Sequence, residues 1–411
     1  MKRHLGILFL TGLLAFTGPV AAGKLAMTAP SSVGQQLKED RATRSPTPGL
    51  SELLAGYDRW KDAFVRTTGF NYGIDYNALY MKAAVSPTRN DDSASGVIRF
   101  YTDWTLLQRG EDRGSLVVKL EHRHAFTSVA PNAFGFEIGY DGLLHSTFSD
   151  QGFHATNLYW KQTFDSKRLL LFTGFMDVTD YVDVHLLASP WTSFSNLVFA
   201  TGSGTIGSLP DGALGAMLGG WLDDNLYLSA GIADANADAG KLFDGFDSFF
   251  NKFETFKSVE LGWSPNRQSL FFHNVHLTLW QVDRRKDAGA RSGWGVALSS
   301  SSTHGKNWMS FLRGGWSDDG NALLEASISI GGARLMSGDG DTLGIGLNWG
   351  RPNHIDYPDA RKDQWTMEAY WLFQLGRHLQ LTPSVQFIVN PALDHTHDTN
   401  TVVGLRARTV F

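Results

Sequence analysis

Cysteine is missing from the chain altogether, so neither a disulfide framework nor thiolate chemistry is open to it. Charge is sparse as well: 19% of the residues are Asp, Glu, Lys or Arg, with a net charge of -5. No basic stripe is left to neutralise phosphates, which excludes a nucleic-acid partner. Beyond the N-terminus no apolar run reaches the roughly eighteen residues that a transmembrane helix requires. Neither G-x-S-x-G nor a phosphate-cradling glycine loop occurs, so hydrolase and nucleotide chemistry lack motif support. No enzymatic activity and no cofactor are expected.

What the chain does have is glycine and aromatic residues: Gly 44, Phe 27, Trp 13 and Tyr 11 among 411 residues. Turn formers and strand formers in that abundance favour an all-β protein. At the N-terminus, Lys2 and Arg3 precede an apolar run from Leu5 to Phe16 and then the small residues Val20-Ala21-Ala22. The run is too short to span a bilayer, and the pattern is that of a secretory signal, residues 1–22, cut before Gly23. Residues 23–50 carry Pro30, Pro46 and Pro48 among mixed charges and are expected to be a flexible linker. Over 51–69, Leu53, Tyr57, Trp60 and Phe64 recur at helical spacing and Gly69 stands where a helix would stop. One short amphipathic helix is therefore expected ahead of everything else.

From Phe70 to the C-terminus, residues 70–411, the period changes to two. In WTMEAYWLFQL, Trp365, Met367, Ala369, Trp371, Phe373 and Leu375 oppose Thr366, Glu368, Tyr370 and Gln374. LQLTPSVQFIV sets Leu379, Leu381, Val385, Phe387 and Val389 against Gln380, Thr382, Ser384 and Gln386. In the last segment, TVVGLRARTVF, Val403, Leu405, Ala407 and Phe411 share one face and Val402, Arg406, Arg408 and Val410 the other. Segments near ten residues with one oily and one hydrophilic face fit tilted membrane strands. About sixteen can be placed, and Ala133–Tyr140 is rejected as a seventeenth because such barrels close with an even number. Counted from Tyr72, odd-numbered connections are mostly long and even-numbered ones mostly short, as at FDSKR, LDDN and LGRH. A transmembrane barrel has short turns on one side and long loops on the other, and this parity puts both chain ends on the side of the short turns, the periplasm. The expected fold is a transmembrane antiparallel β-barrel of about sixteen strands in the outer membrane of a Gram-negative cell, with outer-membrane lipids and the barrel assembly machinery as partners.

Several stretches resemble the carbohydrate-selective outer-membrane porins of the OprB type: LLLFTGFMDVTDYVD (Leu169 to Asp183), FSNLVFATG (Phe194 to Gly202), LGAMLGGWLDDNLYLSAGIADAN (Leu214 to Asn236), TPSVQFIVNPA (Thr382 to Ala392) and the closing GLRARTVF. Where that family's strand reads Gly-Lys, this chain has Gly174-Phe175, so no lysine role carries over. The resemblance implies a monomeric or loosely associated barrel, a helical segment near the periplasmic mouth and passive diffusion of sugars.

A diffusion pore needs donors and acceptors that replace a sugar's water without holding it. Inward-facing candidates are Arg99, Tyr101 and Asp103 on one strand, Lys119, Glu121 and Arg123 on the next, then Trp280, Arg313, Glu325, Glu368, Arg406 and Arg408. Both charge signs occur, which suits a neutral polyhydroxylated solute, and Tyr101 or Trp280 offers an aromatic face to a sugar ring. Export of an acidic polysaccharide would want arginine and lysine to dominate instead. Asp177, Asp180 and Asp183 lack the spacing and closing glutamate of an EF-hand and are expected in a solvated loop. His122 with His124, and His395 with His397, have no third ligand, so no metal site is expected.

Overall fold

The computed structural model describes residues 27–42, 48–305, 307–336, 340–358, 360 and 362–411; the expected signal segment lies outside them. Sixteen antiparallel strands form one closed sheet. They are β1 (Phe70–Ala83), β2 (Asp92–Arg109), β3 (Asp112–Ala125), β4 (Gly152–Phe164), β5 (Leu169–Met176), β6 (Ala213–Trp221), β7 (Leu226–Asp234) and β8 (Thr255–Trp263). The second half comprises β9 (Asn274–Val282), β10 (Gly293–His304), β11 (Trp308–Asp319), β12 (Leu324–Leu335), β13 (Thr342–Pro352), β14 (Gln364–Gly376), β15 (Leu379–Val389) and β16 (Thr399–Val410). Each strand pairs with its neighbours in sequence, and β1 pairs with β16 from Asp75 opposite Val410 to Ala83 opposite Val402.

Alternation decides what each strand shows to either side. Leu405, Val403, Phe387, Trp371, Ile345 and Ile330 stand on the outer surface, 39–57% exposed, while Arg406, Gln386, Tyr370 and Ser329 lie within. An uninterrupted outer belt of Leu, Ile and Trp is far larger than the apolar patches that a protein surface leaves in water; hydrocarbon is its natural solvent. Inside, polar side chains are enclosed by the wall and by three segments that enter the barrel. The connections 126–151 and 177–212 fold inward from the end that carries the long loops. Residues 131–137 of the first form a short helix, α3 (Pro131–Glu137), so rejecting a strand there agrees with the structure.

The third segment departs from expectation. Within the stretch read as a flexible linker, α1 (Val33–Ala42) is a helix, and Val33, Gln36 and Leu37 are almost completely buried. A second helix, α2 (Pro48–Thr68), coincides with the expected one. Gly69 ends it at φ +68, where its N–H donates to the Val65 carbonyl at 2.9 Å and a Cβ would come within 2.8 Å of the Thr105 carbonyl. The α2 aromatic residues meet the outward rim of β1: Trp60 stacks on Phe64 at 5.5 Å, and Phe64 meets Phe70 and Tyr72 edge-on. Its opposite side is held by Asp58, 2.8 Å from Arg377 in the β14–β15 turn.

A single thiol introduced into this cysteine-free chain tests the wall directly. Leu405→Cys and Phe387→Cys, in protein reconstituted into liposomes, are expected to resist a membrane-impermeant maleimide that modifies Asp398→Cys in the β15–β16 loop within minutes. Equal labelling of all three would mean that the outer belt is not in lipid.

Candidate functional site

The interior is fastened by buried charges. On the wall, Arg99 donates from Nε to Asp75 Oδ1 at 2.8 Å and pairs through Nη2 with the other oxygen; Arg408 Nε reaches Asp75 Oδ2 at 2.8 Å. Two guanidiniums thus share one carboxylate, and Arg408 also donates to Asp40 of α1 at 2.8 Å. Tyr101 completes the group, its hydroxyl donating to Asp40 Oδ2 at 2.6 Å. Asp75, Arg99 and Arg408 are 0–1% exposed and the Asp40 side chain 9%, which is tolerable because every one has an opposite charge in contact.

The inward connection 177–212 is tied to the wall at two places. Asp183 receives the Gly202 N–H at 2.5 Å, lies 2.9 Å from His276 Nε2 on β9 and pairs with Arg313 on β11. Its own N–H donates to Glu260 Oε2 on β8, to which Thr278 also donates. Burial would push the Asp183 carboxyl up, but Arg313 and then His276 bring it down to about 2. At the second place Glu368 on β14 accepts from the Ser195 N–H, the Ser195 hydroxyl and the Asn196 N–H at 2.8, 2.8 and 3.0 Å. Arg406 donates to the Pro190 and Ser193 carbonyls at 2.8 and 2.9 Å, and Arg99 lies 3.7 Å over the Trp191 ring.

These contacts correct several expectations. Arg406 and Arg408 face inward but do not point into open water: one holds a loop carbonyl pair and the other an ion network. Arg313 and Glu368 are likewise loop anchors. Trp280 is inward and only 2% exposed, 6.3 Å from Phe256 in a stacked pair, so it offers no open face. Glu325 leaves the set, because β12 is irregular between Leu324 and Ala326 and its carboxylate turns to His354 at 2.7 Å, on the loop-end rim. The aspartates read as solvated are not: Asp180 and Asp183 are each about 1% exposed. Of the histidine pairs, His122 and His124 stand 5.5 Å apart with Tyr76 hydrogen-bonded to His124, and no group of three metal-ligating side chains occurs among the described residues.

Away from the anchors, a file of opposite charges runs along β2–β4. Towards the loop end Arg123 pairs with Glu121 at 2.5 Å and Asp211 at 3.6 Å; next come Lys119 and Asp177 at 3.2 Å, with Asp180 bound to Asn157. Lys161 and Asp103 pair towards the turn end. Four of these side chains keep more openness than the anchors, 37% for Asp211, 17% for Asp177, 21% and 15% for Lys161 and Asp103, while Arg123, Glu121, Lys119 and Asp180 are buried behind them. Burial raises Asp180 to about 6, offset in part by Lys119. Enclosure and then Asp177 push Asp211 up towards 7, against the pull of Arg123; with over a third of its side chain open, water limits that rise. The sequence reading missed Asp75, Asp211, Lys161, Glu260 and His276, and placed Asp177, Asp180 and Asp183 in a solvated loop. Asp75, Lys161, Glu260 and His276 do fall at inward parity on their strands, which is the signal that would have found them.

Glu368→Ala removes one acceptor from three donors and is expected to loosen the connection while leaving the barrel closed. Unmatched hydrogen bonds to a charged group are worth about 1.5–3 kcal/mol each. Conductance should become larger and noisier, with heat-shifted gel mobility kept; unchanged traces would show that this anchor does not set the passage.

Comparison with known proteins fits this geometry. Residues 129–293 and 271–411 match the model of the carbohydrate-selective porin, OprB family. No curated protein matches the chain. Among solved structures, the high-pH form of Pseudomonas putida OprB superposes with TM-score 0.67 at 14% identity, covering 85% of this chain and 96% of that one. Its low-pH form gives 0.50 at 12% identity over 90% and 100%. A variant of the Rh. blastica porin gives 0.51 at 10% identity over 83% and 100%. At such identities the structures speak for the fold, a porin barrel; the family match speaks for the lineage and its passive diffusion of carbohydrate. The chain belongs to the OprB family of carbohydrate-selective porins.

Proposed function

We propose that sugars cross this porin along the charge file on β2–β4, past Arg123, Glu121, Lys119, Asp177, Lys161 and Asp103. One observation carries the reading: the middle of the 177–212 connection, from Asp183 to Asn196, is hydrogen-bonded and ion-paired to β8, β9, β11, β14 and β16, whereas only its ends, at Asp177, Asp180 and Asp211, meet β3 and β4, and there Asp211, Asp177, Lys161 and Asp103 retain openness. Guanidinium, ammonium and carboxylate groups in alternation can bond the hydroxyls of a neutral mono- or small oligosaccharide at several angles, and none of them binds strongly enough alone to trap it. Carboxylates are at least as numerous as bases in the file, which suits a neutral solute better than a polyanion. The roles of Arg99, Tyr101, Arg313, Glu368, Arg406 and Arg408 are then to shape the passage, by holding the connection and α1. In the Gram-negative outer membrane the long loops face outward and both chain ends the periplasm. The last strand with its terminal Phe411 is the part the barrel assembly machinery would read.

Single-channel recording in a planar bilayer tests the route. Added glucose is expected to reduce ion current reversibly, and Lys161→Gln together with Asp103→Asn to weaken that block at least several-fold. Equal block in the variant would move the route elsewhere.

The raised carboxyls give a second test. Asp180 and Asp211 gain negative charge as pH rises through about 6 and 7, so the reversal potential in a salt gradient should shift towards cation preference between pH 5 and 8. Asp211→Asn should flatten the upper part of that shift. A profile identical to the unsubstituted protein would mean that ions do not pass Asp211.

A further inference from the structure

The segment 27–42 pairs with no strand and could leave the barrel without breaking the ladder. Its sequence, VGQQLKEDRA in α1, is polar on most sides. Its apolar side is narrow, Val33 and Leu37, which with Met27 join the apolar cluster of Tyr101, Phe172 and Met217, and Val33, Gln36 and Leu37 are 1–2% exposed. Beyond that small apolar contact it is held by discrete polar ones. Asp40 accepts from Arg408 at 2.8 Å and from the Tyr101 hydroxyl at 2.6 Å, and the Ala29 N–H donates to the Asp180 carbonyl at 2.7 Å.

The placement is transverse. At one end Asp40 touches β16 and β2; at the other Met27 reaches β6, its sulfur 3.3 Å from where a Cβ on Gly219 would sit. Between them, a Cβ on Gly34 would lie 3.4 Å from Asp103 Oδ2 and 3.5 Å from Lys161 Nζ. Tyr101 stands opposite Gly73 and Asp103 opposite Asn71, near the start of β1, so the segment crosses the lumen in the half towards the short turns. It lies against the lower end of the charge file. The following helix, α2, is outside on the rim, so the chain enters the barrel from its mouth.

We propose that residues 27–42 are a displaceable plug: docked through Asp40, they obstruct the lower end of the sugar route, and the pore conducts fully when they withdraw. This rests on the route given above. The Asp40 latch is the weak point by construction, since both partners of its carboxylate retain other partners, Asp75 for Arg408 and the cation–π contact with Arg99 for Tyr101. Losing the latch therefore leaves no wall charge stranded.

The test compares three forms of the reconstituted chain by single-channel conductance and by glucose entry into liposomes, each first checked for heat-shifted gel mobility. Deletion of 27–42 is expected to raise conductance several-fold, and Asp40→Asn to lengthen open intervals at the same full level. Met27→Cys with Gly219→Cys, bridged by a short bis-methanethiosulfonate reagent, is expected to hold the pore at its low level until reduction releases it. If the folded deletion form conducts no more than the full chain, or if bridging and reduction leave the current unchanged, the plug is refuted while the pore stands. Absence of conductance and glucose entry in every form would refute the pore as well as its plug.

Discussion

A peptide group without a partner costs several kcal/mol in hydrocarbon, and that constraint organises this molecule from end to end. A sheet of sixteen strands left open would expose the free edges of β1 and β16 to lipid. Pairing Asp75–Ala83 with Val402–Val410 removes both edges. Closure then has a second effect that the chain must meet. Every other residue is now sealed inside, and those residues include Arg99, Arg313, Arg406, Arg408, Glu121, Glu260 and Glu368. Their hydration is reduced, so each needs a partner within the wall.

The partners are what give the lumen its shape. Asp75 joins Arg99 and Arg408; Asp183 joins Arg313 and His276; Glu368 and Arg406 take up backbone groups of the 177–212 connection. A long loop drawn across a pore would ordinarily fluctuate, because ordering its backbone costs roughly 1–2 kcal/mol per residue. Here charged groups on β8, β9 and β11 pin it at Asp183, and Glu368 on β14 pins it at Ser195–Asn196. The same chemistry that makes buried charge tolerable thus fixes where solute can pass.

Much of this was legible in the sequence. Period two in segments such as WTMEAYWLFQL told lipid from lumen correctly along β13 to β16, and the alternation of long and short connections matches the observed order. Periodicity, however, reports which face a residue occupies and not what stands opposite it. Arg406 and Arg408 were therefore assigned to water when loop carbonyls and Asp40 were waiting for them. Glu325 was misplaced because an irregularity in β12 shifts parity by one, and nothing local announces it. The Asp-rich stretch from Asp177 looked solvated because its partners, Lys119, His276 and Arg313, are distant in sequence. Helix α1 escaped notice for a different reason: its apolar side is only Val33 and Leu37, too short to give a periodic signal, and these pack inside the enclosing wall. The resemblance motifs take on a physical meaning here. Asp183, Asn196 and Gly202, from MDVTDYVD and FSNLVFATG, are the residues that fasten the inward connection.

The central claim is that a lipid-facing barrel encloses a polar passage open to neutral sugar. The most direct measurement is swelling of liposomes that carry the full chain, placed in isotonic glucose and followed by light scattering. Swelling faster than in protein-free liposomes, in proportion to the protein incorporated, is the result expected. Folded barrels that leave the swelling rate at the protein-free level would contradict it.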